Sequence, residues 1–268
     1  MTPLDTTTTG LSVTPLGYAL GAEVNGVDIN QPPTPALVAA IRSVWHQHHV
    51  IVFRGQRFEA GGMLRFAQAF GALDDHAATP FYRLDEHPEL LQVTNRQIGG
   101  KPSETRNTGR NWHSDYSYTD HPAAASMLFC VERPPVGGDT MFANIVNAYE
   151  TLSAPLRTFL DGLDVVYDVG LTAGINERDP ANTAEVRRLN PPIAHPAVRV
   201  HPDSGRRALY VSERSSHFHG MTAAESRPLI DFLCQHATQP ENVYRHVWQP
   251  GDLVCWDNRT SMHVALAD

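Results

Sequence analysis

The sequence predicts a fold that is mainly β with flanking helices, in the α+β class, with an antiparallel sandwich or barrel at its centre. Short β-like runs are separated by Pro and Gly turns and do not alternate regularly with helices, which argues against a doubly wound parallel sheet. With 268 residues, 41% of them hydrophobic, the chain can bury a sizeable core as one domain. The β-like runs are ASMLFCV, PAVRV, ALYVS and DLVCW.

Three helices can be recognised from the signals at their ends. The first has Thr34 as N-cap and Pro35 at its first position, and it precedes the strand-like run VIVFRGQ. The second, MLRFAQAFG, is expected to end at Gly71 as its C-terminal cap. The third, TAAESRPLIDFLCQHA, opens with a capping box of Thr222 and Glu225. Helical spacing predicts the core faces: Leu37, Ile41, Val44 and Trp45 in the first helix, and Leu229, Phe232 and Leu233 in the third.

Two segments outside these elements are expected to be mobile. Residues 1–15, which include the Thr run Thr6–Thr9, are predicted to be a flexible N-terminal tail, and residues 16–268 a single domain. The polar stretch GKPSETRNTGR at 100–110 is expected to form an active-site loop or lid that becomes ordered when substrate binds.

Charge and cysteine content exclude several classes of protein. The formal charge of −8 argues against a nucleic-acid partner, although it is compatible with a local basic pocket for a small anion. Three widely spaced cysteines without a CxxC pair argue against a disulfide framework or a thiolate zinc site and predict a reducing, cytoplasmic setting. No secretory signal and no apolar run of the ~20 residues that span a bilayer can be found, so no membrane partner is expected.

The segment NWHSDYSY carries the residues with the clearest chemistry. Side chains at i and i+2 of an extended segment project to one face, so His113 and Asp115 point together while Ser114 points away. His263, which follows DLVCWDNRTSM, is the candidate third ligand. Two histidines and one carboxylate form the arrangement of non-haem Fe(II) sites, which leaves positions open for substrate and dioxygen. An HxD pair alone is a weak motif in a chain with 14 histidines.

The same parity nominates substrate contacts near the metal. Asn111 and Ser117 are expected on the metal-facing side, and Tyr116 is a neighbour that faces either way. These three residues therefore stand as candidates for contact with the substrate.

Four ordered blocks are more specific than the HxD pair. NWHSD, PPVGGDTMFANIVNAYETL, HPDSGRRALYV and WQPGDLVCWDNRTSMH follow one another in an order that resembles the Fe(II)- and 2-oxoglutarate-dependent dioxygenases of the family that includes taurine dioxygenase and 2,4-dichlorophenoxyacetate-degrading enzymes. The resemblance runs from about Leu16 to the C-terminus, with GAEVNGVDI matching the family's N-terminal strand region. It implies a double-stranded β-helix, a cupin-like jelly roll, which agrees with the antiparallel sandwich or barrel above.

The resemblance also implies roles for individual residues. His113, Asp115 and His263 fall on the family's three iron ligands, and Thr140 falls on a threonine that binds a carboxylate of the cosubstrate 2-oxoglutarate. Without the resemblance, Thr140 is better interpreted as a turn hydroxyl after two glycines. Because the carboxylate ligand is present, the implied reaction is hydroxylation of a C–H bond, with consumption of O2 and release of succinate and CO2.

For the substrate, the resemblance implies a small anionic organic acid such as an aryloxyalkanoate or a sulfonate. His76 aligns with a taurine-dioxygenase residue that contacts the sulfonate, but Thr79 stands where that enzyme has a tyrosine, so taurine itself is not inferred. The block GRRALYVSERSSHFHGM is more similar to the herbicide-degrading branch, which makes His217 a candidate contact; a loop histidine without a role is the alternative. A bacterial homo-oligomer, a dimer or tetramer, is also implied.

One family residue has no counterpart in the chain. The arginine that pairs with the distal carboxylate of 2-oxoglutarate follows the second histidine ligand, and the sequence stops at Asp268 before that position. We expect a C-terminal segment to have been omitted, with a truncated and inactive protein as the alternative. Arg259 precedes His263 and does not match the position.

Two other functions could use the same residues. A zinc hydrolase built on His113, Asp115 and His263 needs a general base near the metal and has no use for Thr140 or 2-oxoglutarate. A non-catalytic jelly-roll binding module would have lost the cosubstrate arginine. Metal identity and succinate release distinguish these alternatives from a dioxygenase.

The remaining histidines have weaker cases for a role in the site. His217 and His219 form an HxH pair that could hold zinc, but no ordered third ligand is evident. His46, His48 and His49 lie at the end of the first helix, where cations interact favourably with the helix dipole, and are interpreted as structural.

Overall fold

The computed structural model describes residues 10–268, so the predicted tail at residues 1–9 lies outside the described residues. Within the described part, fifteen strands and six α-helices follow one another. The strands are β1 Ser12–Pro15, β2 Ala22–Asn25, β3 Val50–Phe53, β4 Gln97–Ile98, β5 Lys101–Pro102, β6 Ala125–Phe129, β7 Thr140–Asn144, β8 Asp164–Tyr167, β9 Ile193–Pro196, β10 Val198–Val200, β11 Arg207–Leu209, β12 Ser215–Phe218, β13 Val243–His246, β14 Leu253–Asp257 and β15 Ser261–Ala265. The helices are α1 Pro35–His48, α2 Ala60–Gln68, α3 Ile145–Thr151, α4 Ala154–Leu160, α5 Pro180–Leu189 and α6 Ala223–Ala237.

The strands form several separate sheets. The largest has five strands in the order β1-β2-β3-β14-β6, and two three-stranded sheets have the orders β13-β7-β15 and β12-β8-β9. All strand pairs are antiparallel except β2 with β3. This arrangement confirms a mixed fold of mostly antiparallel sheets with helices beside them, and all four predicted β-like runs contribute strands.

Strand β14 is buried on both faces and joins two parts of the core. Leu253 and Cys255 pack with residues of α1 and α2, including Ile41. Val254 and Trp256 point the other way and pack with Phe142 of β7. Because successive side chains of a strand alternate between faces, one strand holds the helical layer and the sheet around the candidate site in a fixed relation.

Two predicted helix starts are confirmed by their cap geometry. The Thr34 hydroxyl accepts a hydrogen bond from the Leu37 amide, and Pro35 occupies the first turn of α1. At α6, the Thr222 hydroxyl accepts from the Glu225 amide while the Glu225 carboxylate accepts from the Thr222 amide, so the capping box is complete.

Three details of the sequence interpretation are wrong. Residues 12–15 are not part of a free tail, because β1 pairs with β2 along its whole length. Helix α2 begins at Ala60 and ends at Gln68, so Gly71 is not its cap. On α6, Phe232 is 49% exposed, and the buried face is formed by Ile230, Leu233 and Cys234 instead.

Among residues 10–268, no helix combines the length and the apolar character needed to cross a bilayer.

The corrected face of α6 can be tested with two alanine variants. Leu233 is fully buried in the largest core cluster, whereas Phe232 is half exposed and stacks only on His236. We expect Leu233→Ala to lower the free energy of unfolding by about 2–5 kcal/mol and Phe232→Ala by less than about 1 kcal/mol, because only the first leaves a cavity. Urea unfolding followed by circular dichroism measures both; equal losses would contradict the assignment of the face.

Candidate metal centre and substrate cavity

Two histidines that are far apart in the sequence meet through their backbones. The His113 amide donates to the His263 carbonyl at 3.0 Å, and the His263 amide donates to the His113 carbonyl at 2.8 Å. This reciprocal pair is that of antiparallel neighbours, whose side chains lie on the same face. The two imidazole rings are therefore adjacent, with their centroids 4.1 Å apart.

The carboxylate of Asp115 faces both rings. Its Oδ1 atom lies 3.5 Å from His113 Nε2 and 3.7 Å from His263 Nε2. One donor atom from each of the three residues lies within 4.8 Å of the others. The structure thus brings together the three residues that the sequence nominates as one metal-binding group.

The other oxygen of Asp115 is held by residues that the sequence interpretation missed. Its Oδ2 atom accepts hydrogen bonds from Ser126 Oγ at 2.7 Å and from Trp256 Nε1 at 3.1 Å. The Asp115 amide donates to Asn258 Oδ1 at 3.0 Å. These contacts from β6, β14 and the following turn orient the carboxylate, so that Oδ1 remains the oxygen aimed at the histidines.

Hydrogen bonding also sets the tautomer of one histidine. His113 Nδ1 lies 2.7 Å from the Asn111 carbonyl, to which it donates, so Nε2 keeps its lone pair. Ser114 points away from the group and donates to the Ser261 carbonyl, as the alternation of an extended segment predicts.

Burial determines the charges of the three side chains. Desolvation, with a smaller contribution from Arg214, lowers the pKa of His113, and desolvation followed by His113 lowers the pKa of His263 to about 3. Desolvation opposes ionisation of Asp115, but the electrostatic interactions with His263 and His113 and the hydrogen bond from Ser126 bring its pKa well below its usual range. At neutral pH the group consists of two neutral imidazoles and one carboxylate.

This donor set fits a divalent metal ion of the non-haem iron type. Two Nε2 lone pairs and one carboxylate oxygen converge, while Asp115 Oδ2 and His113 Nδ1 are already used in hydrogen bonds. Two neutral imidazoles and one carboxylate are the ligands of the two-histidine, one-carboxylate site, which leaves coordination positions open.

Thr140 lies close to the group along the sheet. On the β15–β7 ladder, His263 pairs with Phe142 and Ala265 pairs with Thr140, so Thr140 is one row away on the same face as His263. Its hydroxyl oxygen accepts a hydrogen bond from Trp248 Nε1 at 3.0 Å. The hydroxyl proton therefore remains available to a ligand that binds beside the metal group.

A cavity opens beside His113 and Asp115. It contains about 620 Å³ of space not filled by atoms, including its opening to solvent. Its wall combines aromatic and aliphatic side chains with a few polar and charged groups, which is typical of a site for an organic molecule. The apolar part consists of Tyr82, Leu91, Val93, Tyr118, Val169 and Val186.

The polar stretch at 100–110 forms part of the same cavity. Thr105 and Thr108 line its wall. Arg106 donates to the Glu177 carbonyl at 2.8 Å, and Asn107 donates to the Glu177 carboxylate, so the stretch is tied to the segment before α5. The predicted active-site loop therefore does contribute to the site.

The structure places only one of the five predicted substrate contacts on the cavity wall, Tyr116. His76 lies behind it, with Nδ1 2.6 Å from the Tyr116 hydroxyl. Asn111, Ser117 and His217 do not line the cavity; Ser117 is fully buried, and His217 lies on β12, where its Nδ1 is 3.0 Å from Ser216 Oγ.

The predicted alternation of side chains between two faces stops after Asp115 for a physical reason. Tyr116 has a φ of +53°, and the Thr119 amide donates to its carbonyl, so the chain turns there. Alternation of side chains holds only in extended backbone. It therefore places His113 and Asp115 correctly and does not extend to Ser117.

A second group of possible metal ligands has a structural explanation. His46, His201 and Asp257 also bring donor atoms within 4.8 Å of one another. The carboxylate of Asp257 is already paired with Arg259 at 2.7 Å and with His201 at 2.9 Å. Arg259, in the turn before β15, therefore already balances the charge of this carboxylate. His217 and His219 belong to no such group among residues 10–268.

Two arginines of the cavity were not singled out from the sequence. Arg178 and Arg214 line the same wall as His113 and Asp115. Arg214 lies within the block SERSSHFHG, in which His217 and His219 were the candidate residues. No periodic pattern in the sequence predicts that an arginine is buried.

Comparison with known proteins places the chain in a family. Residues 12–267 match the family described as taurine catabolism dioxygenase TauD, TfdA family. The alpha-ketoglutarate-dependent 2,4-dichlorophenoxyacetate dioxygenase of Cupriavidus pinatubonensis is 35% identical over 262 residues, which is 93% of this chain and 90% of that protein. The alpha-ketoglutarate-dependent sulfate ester dioxygenase of Pseudomonas putida is 34% identical over 265 residues, 96% of this chain and 85% of that protein.

Solved structures agree with this assignment. The crystal structure of AAD-2 in complex with Mn(II) and N-oxalylglycine superposes with a TM-score of 0.86 at 30% identity, covering 95% of this chain and 91% of that chain. A taurine dioxygenase from Burkholderia xenovorans superposes with a TM-score of 0.77 at 35% identity, covering 95% and 82%. On the match across residues 12–267 and these similarities, the chain belongs to the TauD/TfdA family of alpha-ketoglutarate-dependent (2-oxoglutarate-dependent) dioxygenases.

Proposed function

We propose that the protein is an Fe(II)- and 2-oxoglutarate-dependent dioxygenase that hydroxylates a C–H bond of a small anionic organic substrate, aryloxyalkanoate- or sulfonate-like, and releases succinate and CO2. The observation that carries the proposal is the convergence of His113, Asp115 and His263 beside an apolar cavity. The relatives are named for 2,4-dichlorophenoxyacetate and for sulfate esters, which supports an anionic organic substrate.

In this function each residue has a limited task. His113 Nε2, Asp115 Oδ1 and His263 Nε2 hold the iron, and the Thr140 hydroxyl donates to a carboxylate of 2-oxoglutarate. Iron and 2-oxoglutarate supply the oxidising chemistry that activates O2 when both are bound. The protein orients these groups and excludes bulk water through the apolar wall of the cavity.

Of the five predicted substrate contacts, Tyr116 is the one that we propose to touch the substrate, because it lines the cavity. Its hydroxyl lies 2.6 Å from His76 Nδ1 and 3.1 Å from Thr79 Oγ1, so the ring is held against the cavity from behind. His76 Nε2 lies 3.1 Å from the Glu89 carbonyl, to which it donates, which leaves Nδ1 as the acceptor for the Tyr116 hydroxyl. His76 therefore acts as a positioning residue through Tyr116.

A zinc hydrolase fits the cavity less well. A metal-activated hydrolysis needs a general base within reach of the bound water. Within the described part of the chain, the cavity wall contains threonine, tyrosine, arginine and aliphatic side chains but no carboxylate or imidazole besides Asp115 and His113. No residue is placed to serve as that base.

The finer architecture and assembly are part of the same proposal. We infer that the antiparallel sheets around the site form a double-stranded β-helix, which is supported by the superposition on family structures. A bacterial cytoplasmic setting is proposed from the bacterial source of the relatives and from the free, buried state of all three cysteines, and a homo-oligomer is proposed only from membership of the family.

The metal group can be tested by anaerobic titration with Fe(II) and then 2-oxoglutarate. We expect a visible charge-transfer band in the unchanged protein and none in His113→Ala, because that variant lacks one of the three metal ligands. His121→Ala is the matched control, since the His121 side chain is 95% exposed. A band of equal intensity in His113→Ala contradicts the assigned site, and iron binding without succinate release in a substrate screen favours the non-catalytic alternative.

Metal affinity is expected to depend on pH between 6 and 8 less steeply than that of two ordinary histidines. The pKa of His263 is lowered to about 3, so this imidazole need not lose a proton to bind a metal in this range, and the lowered pKa of His113 reduces the proton loss from the other ligand. Two ordinary histidines with a pKa of about 6.5 would weaken binding ~15-fold from pH 7.5 to pH 6. Calorimetric titration with Mn(II) should show a change in affinity well below this; the full ~15-fold change contradicts neutral, buried ligands.

The role of Thr140 can be tested with two variants. Thr140→Val keeps the shape but removes the donor, so we expect the KM for 2-oxoglutarate to rise by about 10-fold, the value of one hydrogen bond to a charged group. Thr140→Ser, which keeps the hydroxyl, should restore most of the affinity. If Thr140→Val leaves the KM unchanged, Thr140 has only a structural role, as the hydrogen-bond acceptor for Trp248.

A further inference from the structure

Arg214 is a buried cation without an anionic partner among residues 10–268. It is only 4% exposed and lines the cavity beside His113 and Asp115. Arginine is rarely this buried unless it is paired with an acid. Among residues 10–268, no carboxylate lies within salt-bridge distance of its guanidinium. Its one side-chain hydrogen bond in this part of the chain runs from Nε to Asn111 Oδ1, at a long 3.4 Å.

Neighbouring contacts fix the position of Arg214 beside the metal group. The Trp112 amide donates to the Glu213 carboxylate at 2.8 Å, and the Glu213 amide donates to the Trp112 carbonyl at 3.2 Å. The next residues on the two segments are His113 and Arg214. The acid closest in sequence is therefore engaged with Trp112 and does not neutralise the guanidinium.

The carboxylate of the metal group makes no salt bridge with it either. Asp115 Oδ2 is used by Ser126 and Trp256, and Oδ1 faces the two histidines. When a divalent metal is bound there, that one negative charge is more than balanced. Arg214 then has no anion in the described protein with which to pair.

A second guanidinium adds to the positive charge of the cavity. Arg178 lies 4.8 Å over the ring of Tyr82 and donates to Thr108 Oγ1 at 3.3 Å. It makes no salt bridge with an acid of residues 10–268. Burial lowers the pKa of Arg214 to about 10, with Arg178 among the smaller contributions, so the side chain remains charged at neutral pH. The cavity therefore combines two cations with one acid.

Such a cavity is suited to an amphipathic anion. A planar guanidinium pairs with two oxygens of a carboxylate, sulfonate or sulfate group, and the pair is strong when water is excluded. The apolar part of the wall, with Leu91, Val169 and Val186, is suited to an aryl or alkyl group. Thr140, the proposed contact of the cosubstrate, does not line this wall, which places the cosubstrate elsewhere around the metal group.

We propose that Arg214 is the specificity-determining residue that binds the anionic group of the primary substrate, with the apolar part of that substrate against the cavity wall. This rests on the function proposed above and adds the residue that selects a carboxylate, sulfonate or sulfate over a neutral molecule. Arg178 strengthens the positive potential without being assigned a direct contact.

The experiment measures binding without turnover. The protein is loaded anaerobically with Fe(II) and 2-oxoglutarate and titrated calorimetrically with 2,4-dichlorophenoxyacetate and octyl sulfate, each beside its neutral counterpart, 2,4-dichlorophenoxyethanol or octanol. We expect at least one anion to bind about 10-fold or more tightly than its counterpart, the value of one charged hydrogen-bonded pair. If neither anion is preferred over its neutral counterpart, the proposal is overturned.

Three variants assign the preference to the side chain. Arg214→Met should remove the preference for the anion while leaving the binding of the neutral probe and of 2-oxoglutarate within about threefold, because Met retains the apolar volume. Arg214→Lys, which keeps the charge, should restore part of it. Arg199→Met, which removes an arginine packed on Tyr210 outside the cavity, should leave the preference intact.

Further readouts separate this proposal from a structural role and from failure of the proposed function. An unpaired buried charge is costly, so the Tm of Arg214→Met should equal or exceed that of the unchanged protein; a lower Tm indicates a structural role and counts against the proposal. The charge-transfer band reports iron and cosubstrate independently of the probes. An equal loss of 2-oxoglutarate affinity in Arg214→Met overturns the assignment to the primary substrate, whereas a missing band in the unchanged protein refutes the proposed function.

Discussion

The two backbone hydrogen bonds between His113 and His263 are the constraint on which the candidate site depends. They bring the HxD segment against β15 and set the two imidazoles on one face. Strand β15 is in turn held by its pairing with β7, which positions Thr140 one row away. The metal group and the proposed cosubstrate contact therefore share one sheet, and a shift of register would separate them.

The carboxylate is positioned by a different part of the fold. Ser126, Trp256 and Asn258 hold Asp115 from β6, β14 and the turn after β14. Because β14 is buried on both faces, this support is continuous with the core packing of the large sheet. The ligand oxygen is thus oriented by a strand that is packed on both faces, as a site that must hold a metal in fixed geometry requires.

Charge balance gives the cavity its chemical character. The whole chain has a formal charge of −8, yet the cavity beside the metal group contains Arg178 and Arg214 against the single carboxylate of Asp115. A buried guanidinium without an acid is unfavourable in the isolated protein, and the unfavourable energy is relieved when an anion enters. Net charge therefore describes the outer surface, whereas the site is decided by where individual charges are buried.

The sequence by itself determined the starts of α1 and α6 and most of the strands, and it nominated the three candidate metal ligands, because capping residues, alternating apolar runs and an i, i+2 pair act over a few residues of regular backbone. It was wrong or silent where long-range packing or an irregular backbone decides. The positive φ of Tyr116 interrupts the alternation of side chains on which the prediction for Ser117 depended. On α6, Phe232 is exposed, and neighbouring residues of the helix form the buried face. The burial of Arg214 beside His113 follows from contacts between distant segments, and only the tertiary structure decided that this cation has no acidic partner within the described part of the chain.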